Sequence, residues 1–187
     1  MPSCKKSFSY RVLLALWLWG QCCLAGEFSP QIRRAALLES PTHYSLDADI
    51  EYQLSGIARE ALDKGVPLTW KVAFKIEQSG WLLDSDIYSQ KLRYQLQYHA
   101  LLKQYEVKTP SGNAEMFLSL HTALSFMSLL HDAQPIAKDT LKTGKLYKLA
   151  LKSQFIRESL PVPMRPFTYL DPQWALSSDW FVWSIQK

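Results

Sequence analysis

Three stretches of the chain alternate apolar and polar residues with a period of two. In the first, Tyr44, Leu46, Ala48, Ile50, Tyr52 and Leu54 are apolar, while His43, Ser45, Asp47, Asp49, Glu51 and Gln53 between them are polar. Successive side chains of a strand point to opposite faces, so this pattern predicts a strand with one buried and one wetted face. The same reading applies to Val66, Leu68, Trp70, Val72, Phe74 and Ile76, with Thr69, Lys71, Lys75 and Glu77 outward. It applies again to Leu92, Tyr94, Leu96, Tyr98 and Ala100, with Lys91, Arg93, Gln95, Gln97 and His99 outward. Half-buried strands of this kind belong to antiparallel sheets. Further strands are expected at 32–39, 81–88, 105–109, 145–155 and 174–185. The last is apolar on both faces, which fits a central strand or one covered by a helix.

Two segments switch to a helical period. Residues 57–64 place Ile57, Ala61 and Leu62 on one side and stop at Gly65, suited to the position just past a helix end. A longer helix over 114–132 is expected after the Thr109-Pro-Ser-Gly-Asn113 turn, with Met116, Phe117, Leu120, Ala123, Leu124, Met127 and Leu130 as a stripe lying across a sheet. Residues 160–167 hold Pro161, Pro163 and Pro166, and the missing N–H groups argue against helix or central strand. That segment, including its Pro-Met-Arg-Pro spacing, reads as an extended crossing or an edge. The fold class that follows is mainly β: a two-layer antiparallel β-sandwich-like domain with one long and one short helix packed on it. A lipid-facing barrel is disfavoured, because the polar strand faces carry Lys, Glu, Asp and Arg.

The first 25 residues do not belong to this pattern. A short basic start with Lys5, Lys6 and Arg11 precedes an apolar run of eight, Val12-Leu-Leu-Ala-Leu-Trp-Leu-Trp19, and then small residues ending at Ala25. This is the three-part arrangement of a secretory signal peptide, with cleavage expected between Ala25 and Gly26 and a single domain over 26–187. The run falls short of the ~20 residues that cross a bilayer, so no transmembrane span is expected in the mature chain. All three cysteines, Cys4, Cys22 and Cys23, lie in the leader. A lipid-modified Cys22 or Cys23 is disfavoured, because Gln21 and Trp19 flank the first and Cys22 and Gly20 the second, where that processing wants a small residue and a Leu. The expected location is the periplasm, and the exported domain has no thiol with which to form a disulfide.

Charge narrows the partners. The chain carries a formal net charge of +4, and removing Lys5, Lys6 and Arg11 leaves 18 basic against 17 acidic side chains. Such a balance gives no electrostatic case for nucleic-acid binding.

Five phrases occur in an order that resembles one family: Glu60-Ala-Leu-Asp-Lys-Gly-Val-Pro-Leu68; Leu92-Arg-Tyr-Gln-Leu-Gln-Tyr-His-Ala-Leu101 running on to Gln104-Tyr-Glu-Val107; Phe117-Leu-Ser-Leu-His-Thr-Ala-Leu124; Leu160-Pro-Val-Pro163; and Trp174-Ala-Leu-Ser-Ser-Asp-Trp-Phe-Val-Trp183. Together they resemble the exported proteobacterial family called domain of unknown function 4390, over nearly all of the mature chain. The resemblance implies export and a shared fold and carries no activity with it.

The chemistry-bearing residues do not assemble into a known constellation. His121 and His131 on one helix would stand about 80° apart in azimuth and about 15 Å apart along the axis, too far to share a metal. His43 and His99 fall on polar strand faces and read as solvated. Ser177-Ser178-Asp179 lacks a nucleophile elbow and reads as a bulge or turn, with Asp179 bonding local backbone. Asp47, Asp49 and Glu51, and the pair Asp84 and Asp86, lack a calcium-loop pattern and read as solvated strand faces. The six glycines after the leader are widely separated, so no phosphate loop forms. No cofactor and no metal site are expected.

The expectation is therefore a non-catalytic binding domain whose partner is another envelope protein or a cell-envelope component. Its candidate surface is Trp81, Asp84 and Arg93, followed by Asp179 and Trp180; Trp81 is the aromatic expected to stand half-exposed. Two alternatives stand beside it. One is a carrier of an apolar ligand or lipid, with Met116, Met127 and the aromatic side chains lining a cavity. The other is a hydrolase using His99 or Ser178.

Overall fold

The computed structural model describes residues 28–80, 85–130 and 133–187. Strands β1 (Gln31–Glu39), β2 (His43–Glu51) and β7 (Ile136–Ala137) form a three-stranded sheet in the order β1-β2-β7. Strands β3 (Leu68–Gln78), β4 (Ser85–His99), β5 (Gln104–Lys108), β6 (Ala114–Phe117), β8 (Leu146–Phe155) and β9 (Phe181–Gln186) form a second sheet in the order β6-β5-β4-β3-β8-β9. Every pairing is antiparallel. The result is an open, sandwich-like, mainly β domain with three short helices, α1 (Gly56–Asp63), α2 (Leu120–Ser128) and α3 (Arg165–Leu170).

The alternating stretches become the core. Tyr44, Leu46, Ala48, Ile50 and Tyr52 are buried on one side, and Leu68, Trp70, Val72, Phe74, Ile76, Leu92, Tyr94 and Leu96 on the other. Each large apolar side chain so placed contributes roughly 1.5–3 kcal/mol relative to exposure. Helix α1 forms as its termini dictate. The Ser55 hydroxyl accepts from the Ala58 N–H at 3.1 Å, and Gly65, at φ 83°, closes the other end. There the Gly65 N–H donates to Leu62 O and the Val66 N–H to Ala61 O, the paired bonds that a left-handed cap residue permits.

Four expectations are corrected. The long helix over 114–132 is a four-residue strand followed by a nine-residue helix. The turn with Gly112 at φ 89° folds residues 114–117 back onto β5, and Ser119 then caps α2 by accepting from Thr122 N–H. Pairing with an otherwise uncovered strand edge outweighs the helical period of Met116 and Phe117. The strands expected at 81–88 and around 92–100 are one strand from Ser85 on, since a register shift near Ile76 and Glu77 lets β4 follow β3 along its full length; residues 81–84 lie outside the described residues. The proline segment turns helically, with a 3-10 turn at Val162–Met164 and then α3. Pro166 sits in the first turn of α3, where a missing N–H costs nothing.

The fourth correction is β9, which is an edge strand and neither central nor helix-covered. Trp174 and Leu176 are buried from an irregular segment ahead of it, while Trp183 and Ile185 rest on the core, Phe181 lies half-buried against Trp183, and Trp180 and Val182 remain exposed.

Tyr52 lies at the centre of the two layers, edge-on to Trp70 at 5.5 Å between ring centroids, and its hydroxyl accepts from Ser153 Oγ at 3.2 Å. Burial pushes its phenol up to about 12, against the smaller opposing effect of the Ser153 hydrogen bond. A phenol whose pKa is higher folded than unfolded stabilises the fold below the unfolded value and loses that contribution as pH rises through the folded one. The domain is therefore expected to destabilise between about pH 10 and 12. A Tyr52→Phe, Ser153→Ala pair should flatten that part of a denaturation-midpoint curve, and an unchanged alkaline slope would place the loss elsewhere.

Candidate functional site

The outer face of the six-stranded sheet is assembled by register. Lys71 of β3 stands opposite Arg93 of β4 and Gln154 of β8; Ala73 opposite Lys91 and Lys152; Lys75 opposite Ser89 and Ala150; Glu77 opposite Asp86 and Lys148. Lys108 of β5 pairs with Gln95 of β4 on the same face. Cations therefore occupy neighbouring strands about 4.8 Å apart, with the short side chains of Ala73 and Ala150 as a floor between them. Lys75 reaches Asp86 at 3.6 Å and Lys108 reaches Glu106 at 3.7 Å. The near balance of charge in the composition thus conceals a basic face, on which Lys71, Lys75, Lys91, Arg93, Lys108, Lys148 and Lys152 stand against Glu77, Asp86 and Glu106. Glu51 is bonded by Arg33, whose guanidinium holds its carboxyl below the usual carboxylate range, and Asp47 pairs with Arg34 at 2.9 Å.

Trp180 marks one side of this face. It is 43% exposed. Lys75 and Lys152 each place an ammonium group 5.8 Å from its ring centroid. With Lys75, Glu77, Lys148, Ala150 and Val182 it lines an open depression of about 280 Å³. An indole with two ammonium groups near its ring attracts them by cation–π interaction, and the arrangement presents a half-exposed aromatic with two positive charges beside it. Cross-strand like charges such as Arg93 and Lys71 work against sheet stability, so this face is not what the fold itself would select.

The residues expected from sequence fall as follows. Arg93 and Trp180 are both on this face, on strands β4 and at the start of β9. Asp179 is exposed beside Trp180 and lines a second depression, of about 260 Å³, with Ser29, Gln31 and Trp180, away from Arg93. Trp81 and Asp84, like Ala25 and Gly26 at the expected cleavage position and His131, lie outside the described residues. Sequence reading missed Lys75, Lys91 and Lys152 as site residues. Alternation had already put Lys71, Lys75, Lys91 and Arg93 outward, but only the β4-β3-β8 order makes them neighbours.

Ser177 and Ser178 have a structural task. The Ser178 hydroxyl accepts from the Ser153 N–H at 2.9 Å and donates to Asp179 O at 2.9 Å, and the Ser177 hydroxyl accepts from the Phe155 N–H at 2.9 Å. Two side-chain oxygens thus stand in for the carbonyls of a neighbouring strand. The sequence reading gave Asp179 the role of bonding local backbone N–H groups; the serines hold it instead, and Asp179 contributes an acceptor carbonyl. His99 is not simply solvated, since its Nε2 lies 2.6 Å from Glu106 Oε2 in a half-buried pair. His43 meets Thr42 Oγ1 at 3.0 Å.

Among the described residues no helix is long and apolar enough to cross a membrane. No curated protein and no solved structure matches the chain. One family model does, over residues 28–184, almost the whole of the described structure. The chain belongs to the family described as Domain of unknown function (DUF4390).

Proposed function

We propose that this chain is an exported, non-catalytic binding domain of the bacterial cell envelope, and that the basic outer face of its six-stranded sheet takes an acidic surface of another envelope protein. The observation that carries the reading is Trp180 with the ammonium groups of Lys75 and Lys152 both near its ring, and Lys91 and Arg93 on adjoining positions of one sheet. Half-exposed tryptophan and clustered cations are the side chains that anchor and steer association. The leader pattern of residues 1–25 supports the periplasm as the place where this happens. The engagement of the Ser178 hydroxyl by backbone on both sides supports binding in preference to hydrolysis.

A photo-crosslinking side chain at Val182, exposed next to Trp180, should capture a partner of acidic composition in intact cells. In the Lys75→Glu, Lys152→Glu chain and in Arg93→Glu the crosslinked product should fall roughly tenfold or more, because complementary charge is reversed. Arg93→Glu should not lower the unfolding midpoint, as it exchanges a repulsive neighbour of Lys71 for an attractive one. Crosslinking at the parental level in both variants would retire this site.

A further inference from the structure

Along one flank of the sandwich the two sheets come side by side without pairing. At one end the Ser29 hydroxyl, ahead of β1, donates to Ser177 O at 2.7 Å, and at the other the Lys187 ammonium donates to Glu39 at 2.6 Å. Strands β1 and β9 therefore run alongside each other, each the edge of its own sheet. Their inward side chains, Ile32, Ala35 and Leu37 on β1 and Phe181, Trp183 and Ile185 on β9, are only half-buried, whereas the residues they pair with on β2 and β8 are buried. The sandwich is open on this side. Among the described residues the two sheets have four edges, and three carry a feature that discourages further pairing. Strand β1 is bulged between Ile32 and Arg34 and bears Arg33 and Arg34, β6 has four residues and β7 has two. Strand β9 has no such feature: Phe181-Val-Trp-Ser-Ile-Gln186 holds no charge and no proline, and it follows β8 without a register shift. The Lys187 N–H donates to Lys145 O, and backbone direction alternates along an antiparallel strand, so Phe181, Trp183 and Ile185 also face β8. The N–H and C=O groups of Val182, Ser184 and Gln186 point out of the sheet, and among the described residues nothing bonds them.

We infer that the free edge of β9 takes an extended segment of the partner protein as a further strand of the six-stranded sheet, a segment that alternates apolar and acidic residues. The inference rests on the basic-face reading and names what the partner brings to that face. Main-chain groups of an open edge are satisfied by another strand, and alternate side chains of the added strand then give specificity. Apolar residues on its inner side would close the open flank over Leu37, Trp183 and Ile185. Residues on its outer side would stand beside Val182 and Ser184. The next strand in, β8, carries Lys148 and Lys152 on that face and no acid anywhere along it. An added strand would lie about 10 Å from β8, two strand spacings, and extended Glu and Lys side chains close that span between them. The acids of this face, Glu77, Asp86 and Glu106, stand further in, on β3, β4 and β5, and Asp179 precedes β9. Opposite charge thus selects an acidic segment. A second copy of this chain would bring its own β9 beside the same lysines, and like charges oppose that pairing.

The test is amide hydrogen exchange of the full chain with two synthetic peptides as long as β9, one alternating Val and Glu and the other alternating Val and Lys. The Val-Glu peptide should slow exchange several-fold at the Val182, Ser184 and Gln186 amides, while those of Trp183 and Ile185 are already protected by β8. The Val-Lys peptide should need roughly tenfold more to do the same, because its charge is reversed. Equal protection by the two peptides, or exchange unmoved by either, overturns the inference. So does protection that rises with protein concentration alone, as pairing between copies would produce. Ser184→Pro removes an outward N–H and none that β8 uses, a position at which an edge strand accepts proline. With a parental thermal midpoint it should weaken peptide binding roughly tenfold and lower the Val182 crosslink in cells. The peptide comparison needs only the parental chain and stands whatever proline does to β9. A crosslink kept in Ser184→Pro but lost in the Lys75→Glu, Lys152→Glu chain overturns the added strand and leaves the basic face in place. A crosslink kept in both retires the two together.

Discussion

Truncating Trp70 to Ala is expected to lower the stability of the domain by about 3–5 kcal/mol, the largest effect of any single substitution in the core. Trp70 is 1% exposed and lies where the two layers and the irregular segment meet. Tyr52 stands edge-on at 5.5 Å, Phe155 lies at 5.3 Å, and Phe155 in turn stacks on Trp174 at 5.9 Å. The indole Nε1–H donates to Leu176 O at 3.1 Å, which ties the chain ahead of β9 to the middle of the sheet. Alanine would leave a large cavity, release the two aromatic neighbours Tyr52 and Phe155, and orphan the Leu176 carbonyl. Urea unfolding followed by circular dichroism measures the loss, provided the slope of the transition is unchanged. A shift in midpoint equivalent to less than about 1 kcal/mol would mean that the site collapses or was never tightly packed.

The second large effect is expected from the serines. Replacing both Ser177 and Ser178 by Ala removes the acceptors of two β8 amides, at Phe155 and Ser153. At about 1–3 kcal/mol for each donor left unpaired, the double variant should lose roughly 2–6 kcal/mol. Ser178→Thr keeps the hydroxyl and should recover most of its share if the extra methyl is accommodated. Hydrogen exchange at the Ser153 and Phe155 amides provides the local readout, since both should exchange faster in the alanine variant. Unchanged protection would show that these amides do not depend on the hydroxyls.

Much of the architecture was legible because the strand period is unambiguous wherever one face is buried. The even-numbered residues of β2 and β3 alternate strictly, and a slip by one residue would expose all of them. Helix α1 was equally legible, as Gly65 provides a chemically specific stop. The 114–132 segment was misread because Met116 and Phe117 satisfy a helical period, while their partner strand, β5, is distant enough in shape that only the Gly112 turn signals the return. Residues 174–185 were misread for a different reason. Apolar residues at both parities normally mean two covered faces, but here the even-numbered set splits, Trp174 and Leu176 plugging the core from an irregular stretch and Trp180 and Val182 staying exposed, while Trp183 and Ile185 pack on the core from an edge strand. The candidate site was half legible. Arg93 and Trp180 were singled out from sequence, and the lysines were seen only as outward positions, because charge clustering across strands is a property of strand order.

By itself, the sequence determined which side chains are hidden, since alternation and apolar content decide that locally, and it determined family membership through phrases spread along the chain. The tertiary structure decided which outward residues became neighbours. Lys75 and Lys152 are remote in sequence, and they reach one indole because β3 and β8 pair in a register that hydrogen bonds, rather than composition, impose. It likewise decided that β1 and β9, far apart along the chain, would become the unpaired edges of one flank, because the strand order that long-range hydrogen bonds set leaves each of them with a single neighbour.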